Sequence, residues 1–307
     1  MAVEAASLRR GRRATAASWA DRNIRFLLVT PAVLLILALT LYPLGYSLWV
    51  DFVNYDAQIP GHAWVGLDNF KAIVQDPVAR QALWHTAFLS AGAVALELVL
   101  GLLLALAMVR PFFGRRALAA IFILPLFMAP VIVGQFWSLI LTEPFGPTNW
   151  LLEQVTGHTV NVNWTSSTPW NYVAIILADT WQWTPFMFVI ILAGLTSIPD
   201  ELYEAADLDG AKPLRAFFFV TFPLLAPVIV LAVTFRLLDA VKLFDVIYVL
   251  TGGGPGTATY TASFYLYQQG YQLFHLAPAT AGSWIFLVII SVVASFLVRR
   301  LLRPQLA

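Results

Sequence analysis

Arg236, Asp239, Lys242 and Asp245 stand at three-residue intervals, with alternating sign, inside an otherwise apolar run. On a continuous helix that spacing brings successive members close enough to pair, so the set would neutralise itself. Ionisable groups at membrane depth are costly unless they face protein, water or one another. Two kinds of chemistry are open to the set: a ladder that holds its helix against neighbours, or charge-assisted hydrogen bonds to a polar ligand. Leu243 and Tyr248 flank the series and are counted with it as candidates. A second group, Asp179, Trp181, Gln182, Trp183 and Phe186 around Pro185, supplies the other half of a ligand site. Indoles offer flat apolar faces suited to the C–H face of a sugar ring, and a carboxylate and an amide can orient it. Glu97 is a lone carboxylate in a third apolar run, either protonated or paired with a basic group on another helix.

The elements that must position these groups are membrane helices. Of the 307 residues, 60% are hydrophobic and 11% charged, against about 25% charged in an average soluble domain. The apolar blocks exceed the ~20 residues of helix that cross a hydrocarbon core of roughly 30 Å. Six spans are expected, over residues 26–50, 84–109, 117–141, 170–195, 222–250 and 277–298, giving an all-α polytopic fold. Residues 1–25 read as a basic segment, 26–50 as a first helix, 84–298 as a five-helix core and 299–307 as a tail. Counted from Pro223, Asp239 lies roughly 24 Å along its helix, in the outer half of the bilayer. Pro125, Pro130, Pro185, Pro223 and Pro227 fall in or at the ends of spans, where proline kinks a helix and frees carbonyls. Trp49, Trp84, Trp150, Trp164 and Trp170 gather at the outer ends as an aromatic belt.

Sidedness follows from the basic residues. Fourteen of the 18 flank the ends of spans on one side, against Lys71 and Arg80 on the other. Short cytoplasmic loops retain positive charge, so both termini are expected in the cytoplasm. The net charge of +1 is spread over these loops and gives no nucleic-acid footprint. The first apolar run is too long for a signal-peptide core and reads as a retained helix. Cysteine is absent, and His62, His85, His158 and His275 are scattered. No G-x-x-x-x-G-K-[ST], H-E-x-x-H or G-x-S-x-G occurs, which leaves no P-loop, zinc-protease or serine-hydrolase machinery and no metal set. Gly252, Gly253, Gly254 and Pro255 lack the Lys-Ser/Thr ending of a phosphate cradle; they read as a flexible outer loop open to close backbone approach.

Between the fourth and fifth spans, residues 198–221 interrupt the apolar pattern on the cytoplasmic side. Pro199, Asp200 and Glu201 suit a helix start. Glu204, Ala205 and Ala206 continue it with one charge and two minimal side chains, and after Asp209, Gly210 permits a turn. Composition alone fits an amphipathic helix lying on the membrane. The order of residues, EAA, then Gly210, then Val220-Thr221-Phe222-Pro223, resembles the EAA motif of permease subunits in bacterial ABC importers, with valine and phenylalanine in place of isoleucine and leucine. A second stretch, RLLDAVKLFDVIYVLTGGGPGTAT over 236–259, resembles the first-permease subunits of carbohydrate importers of the maltose and glycerol-phosphate types.

The resemblance implies a type I ABC importer (MetI-like) permease fold in a bacterial inner membrane, translocating a di- or oligosaccharide. It implies that Glu204 to Gly210 form a coupling helix seated in a separate ATPase, which binds ATP and Mg while this chain carries no cofactor. It also implies a second permease, two nucleotide-binding subunits and an external sugar-binding protein facing Gly252 to Pro255. Asp239, Lys242 and the Asp179 region fall where that family binds sugar. Two other readings stand beside it: an ion-coupled secondary transporter using Glu97, Asp179 or Asp239, and a structural membrane subunit.

Overall fold

The computed structural model describes residues 2–56, 61–142 and 146–302. Met1 and 303–307, in the expected terminal segments, and 57–60 and 143–145, in two of the expected outer segments, lie outside the described residues. Among the described residues the chain is helical, with one isolated bridge, Val53 to Trp64.

Among the described residues, five helices are long and apolar enough to span a membrane, or six if one bent pair counts as a span. The five belong to α1 (Ala2–Val50), α3 (Pro77–Met108), α7 (Trp170–Thr196), α10 (Phe222–Ala240) and α13 (Leu276–Leu302). Short helices fill the connections: α2 (Asp68–Gln75), α6 (Pro147–Thr156), α8 (Asp200–Leu208), α9 (Pro213–Ala216) and α12 (Ala262–Tyr267). The spanning part of α1, Leu28–Val50, is exposed along nearly its whole length, with Val50 buried at its end, yet the helix runs back unbroken to Ala2, through the expected basic segment. Its C-terminal end is fastened: the Trp284 indole donates to Ser47 Oγ at 3.2 Å, and Asn69 Nδ2 donates to the carbonyls of Asp51 and Val53, just past the helix, at 2.9 and 3.0 Å. Just past that end, burial pushes the Asp51 carboxyl up to about 6.

The third expected span is not one helix. α4 (Arg115–Ile123) runs into a 3-10 turn (Leu124–Phe127), and α5 (Pro130–Leu141) leaves it at 102°. Pro130 accounts for the break, because proline removes a ladder donor and pushes the residue before it out of helical geometry, whereas Leu124 before Pro125 stays helical. Ala129, preceding Pro130, is extended at ψ 137°. The fifth expected span also breaks: α10 stops at Ala240, and α11 (Asp245–Leu250) begins after a turn and packs on α5.

Among the described residues the core falls into three buried clusters, one of them around Ile73, Ala82, Tyr265 and Phe286. Leu89, Val133, Ala174, Ile175, Ala178, Val246 and Ile247 form one buried cluster. Val94, Ala105, Met187, Phe188, Ile191, Leu225 and Ala232 form another. Alanines at these contacts let α3, α7 and α10 approach closely, which is how helices associate where lipid is as apolar as leucine. Trp164 is a correction to the expected belt: it is buried, donates its indole N–H to Asn149 Oδ1 at 2.8 Å and packs edge-on to Trp170.

Candidate functional site

α10 places Arg236 in the middle of the bundle, where its side chain is 1% exposed. A buried guanidinium needs an acceptor for most of its N–H groups, and here three carboxylates converge on it. Nε stands 2.9 Å from Glu97 Oε2, and Nη2 donates to Glu97 Oε1 at 3.0 Å and to Asp179 Oδ2. Nη1 donates to Asp239 Oδ2 at 3.3 Å. The cation also lies over the Trp183 ring, 4.7 Å from its centroid. Glu97 comes from α3 and Asp179 from α7, so the cluster ties three helices together.

The ladder expected from the three-residue spacing therefore forms one rung, Arg236 to Asp239. Because α10 ends at Ala240, Lys242 and Asp245 leave helical register and no further rung can close. Of the two alternatives open for Glu97, the structure shows the pairing, across 139 residues of sequence, with Arg236. Nothing in the spacing of residues joined Glu97 or Asp179 to Arg236, whose expected partners lay on its own helix. The available signal was that Glu97 was a lone carboxylate in one apolar run and Arg236 a cation in another.

The two helix breaks face each other, and distant side chains satisfy the carbonyls they free. Ser90 Oγ donates to the Ala240 carbonyl at 2.9 Å and Thr261 Oγ1 to that of Leu243 at 2.8 Å. Gln182 Nε2 donates at 2.9 Å to the Met128 carbonyl, beside the break before α5. Irregular backbone at membrane depth is tolerated where it is buried in protein or lines a cavity. A cleft of about 170 Å³ lies between the breaks. It brings together Asp179, Gln182, Trp183, Asp239, Lys242, Leu243 and Asp245 from the expected set, with Arg236 added. Trp181, Phe186 and Tyr248 stand off its wall. Trp181 stacks on Phe136, Phe186 meets Trp183 edge-on, and Tyr248 packs with Phe244 and Tyr267. The arrangement offers an ammonium donor, carboxylate acceptors and an indole within one concave site.

At the other end of α7 and α10, α8 is an exposed helix. Glu201, Glu204, Ala205 and Asp209 are solvent-facing, Leu208 is 90% exposed, and Ala206 is buried. Gly210, at φ +73°, closes the helix: its N–H donates to the Asp207 carbonyl at 3.0 Å and that of Ala211 to Ala206 at 2.9 Å. This left-handed ending is one that glycine adopts without side-chain strain. The Tyr203 hydroxyl, 3.1 Å from Thr221 Oγ1, joins α8 to the π-helical turn (Phe217–Thr221) that opens α10. Leu214, Phe218 and Phe219 extend an exposed apolar surface beside it. Such a patch marks a protein or membrane contact.

The glycine-rich loop is pinned rather than loose. Asn171 Nδ2 and Thr259 Oγ1 both donate to the Gly254 carbonyl, at 3.3 and 3.1 Å, and the Thr251 and Thr259 hydroxyls lie 2.8 Å apart. Gly253 sits at φ +83°, and a Cβ there would come within 2.5 Å of the Phe264 and Tyr260 rings. Gly253→Ala is expected to cost about 1 to 3 kcal/mol through backbone strain, with the clash added. Gly256, at φ +59° with open space around it, should tolerate alanine better. Thermal unfolding of the two variants in detergent checks the order; equal midpoints would contradict it.

The binding-protein-dependent transport system inner membrane component family matches residues 97–304 of the chain. The trehalose/maltose transport system permease protein of Thermococcus litoralis is 34% identical over 280 residues, covering 90% of this chain and 92% of that protein. The sulfoquinovosyl glycerol transport system permease protein of Agrobacterium fabrum is 33% identical over 263 residues, 85% of this chain and 84% of its own. A crystal structure of a bacterial alginate ABC transporter, in complex with alginate pentasaccharide-bound periplasmic protein, contains a chain that superposes with a TM-score of 0.78 at 24% identity, over 93% of this chain and 96% of that one. That last likeness speaks to the fold.

Proposed function

The chain belongs to the binding-protein-dependent transport system inner membrane component family, and from that premise we propose that it forms the translocation path of an ATP-driven importer for a di- or oligosaccharide. One observation carries the reading: α8, exposed and bearing Glu204, connects α7 and α10, the two helices that supply Asp179 and Arg236 to the cleft. A force applied to α8 acts on both walls of the site at once.

With no P-loop in the sequence, hydrolysis of ATP with Mg falls to two separate nucleotide-binding subunits, against which α8 docks through Glu204, Ala205, Ala206, Asp209 and Gly210. A second permease completes the pore, and an extracytoplasmic binding protein delivers sugar at Gly252 to Pro255. In this reading the chain is multi-pass in a bacterial inner membrane with both termini cytoplasmic. Asp239, Lys242 and Asp245 hydrogen-bond the sugar hydroxyls, and Trp183 with Gln182 orients the ring. The ion-coupled alternative would need a free carboxylate relay, whereas Glu97 and Asp179 are engaged by Arg236.

Proteoliposomes containing the complex, given external binding protein and radiolabelled disaccharide, test this directly. Uptake should require ATP on the α8 side and persist when proton and sodium gradients are collapsed. Uptake driven by a gradient without ATP would contradict it.

A further inference from the structure

We infer that the cleft selects uncharged glycosides and excludes phosphorylated, sulfonated and uronate sugars. The inference deepens the importer reading and rests on it. Three carboxylates, Asp179, Asp239 and Asp245, line the cleft against two cations, Arg236 and Lys242. Glu97, wholly buried behind Arg236, adds a fourth carboxylate.

Arginine is the side chain best shaped to grip an oxyanion with two parallel N–H bonds. Here Nη2 donates to Glu97 and Asp179 and Nη1 to Asp239, Nε lies 2.9 Å from Glu97 Oε2, and Trp183 covers one face, so the guanidinium already faces three carboxylates. Lys242 is exposed, lines the cleft and, among the described residues, has no carboxylate within 4.0 Å, so it is the cation an anionic substrate would have to seek. It lines the same cleft of about 170 Å³ as Asp239 and Asp245. An anion reaching it must also lie near those carboxylates, and like charges brought together in a partly dehydrated site repel strongly. Hydroxyl groups meet no such barrier: each can accept from the ammonium and donate to a carboxylate.

The test uses the reconstituted complex with its own binding protein, measuring ATP-dependent uptake of trehalose and maltose against trehalose 6-phosphate and a uronate disaccharide. The wild type should favour the neutral sugars. In Asp239→Asn/Asp245→Asn, with the same binding protein, the neutral-to-anionic ratio should fall about tenfold, because two repelling charges are gone. Lys242→Gln should move the ratio the other way, so the result does not hang on one variant. Anionic uptake as fast as neutral uptake in the wild type, or a ratio unmoved by either substitution, overturns the inference. Loss of ATP-dependent uptake for every sugar in the wild type instead overturns the importer reading beneath it.

Discussion

Complexes carrying Glu204→Lys are expected to reach the membrane in normal amounts and to show no measurable ATP-driven uptake. Glu204 is exposed on α8 and, among the described residues, takes part in no ion pair or side-chain hydrogen bond. Exposed positions of this kind change folding stability by about 0.5 kcal/mol or less. The helix itself is secured independently, by Ala206 beneath it, the Tyr203 to Thr221 contact and the Gly210 ending. What the reversal strikes is a docked surface, where a misplaced charge costs about 2 to 5 kcal/mol, or roughly 30- to 5,000-fold in the contact. Uptake and ATP hydrolysis should therefore fall together while membrane abundance and thermal stability stay near wild type. Normal uptake by this variant would reduce α8 to a surface loop.

Arg236→Met is expected to act in the opposite manner, through the fold. It removes the one cation that neutralises Glu97 and Asp179, which are 0% and 4% exposed at their side chains. Breaking a buried ion cluster by deleting one partner costs about 3 to 5 kcal/mol, because an uncompensated charge stays behind. The single variant should accumulate poorly and unfold well below wild type in detergent. Replacing the whole cluster, Glu97→Leu/Asp179→Leu/Arg236→Met, should restore much of the midpoint, since buried ion pairs exchange for packed apolar groups at little cost. Asp239, 46% exposed at its side chain, can turn to water. Uptake should remain lost in the repacked protein, because Asp179 and Arg236 also form the cleft wall. A repacked variant no more stable than Arg236→Met would show that the cluster is not the source of the loss.

Much of this molecule was legible before any coordinates. The apolar blocks and the exposed helix around Glu204 stand where hydropathy, capping residues and the proline at 199 put them. The break near Pro130 was half legible: proline announces a bend, but 102° between α4 and α5 reflects the packing of α5 against α11. The end of α10 at Ala240 was not legible at all, because no glycine or proline marks it. It is held by Ser90, 150 residues earlier, and Thr261, 18 residues after Leu243, which accept the burden of the freed carbonyls. The same holds for Arg236 and Glu97: spacing along one helix suggested local pairs, and tertiary contact between α3, α7 and α10 overrode it.

The most direct measurement is ATPase activity of the complex purified through this chain and reconstituted in lipid, with and without a candidate binding protein and a panel of disaccharides. An ATPase should co-purify, and its activity should rise when the binding protein and one of the sugars are present together. If no ATPase accompanies the chain, and a proton or sodium gradient drives sugar uptake through it alone, the importer reading fails and the buried carboxylates become the mechanism.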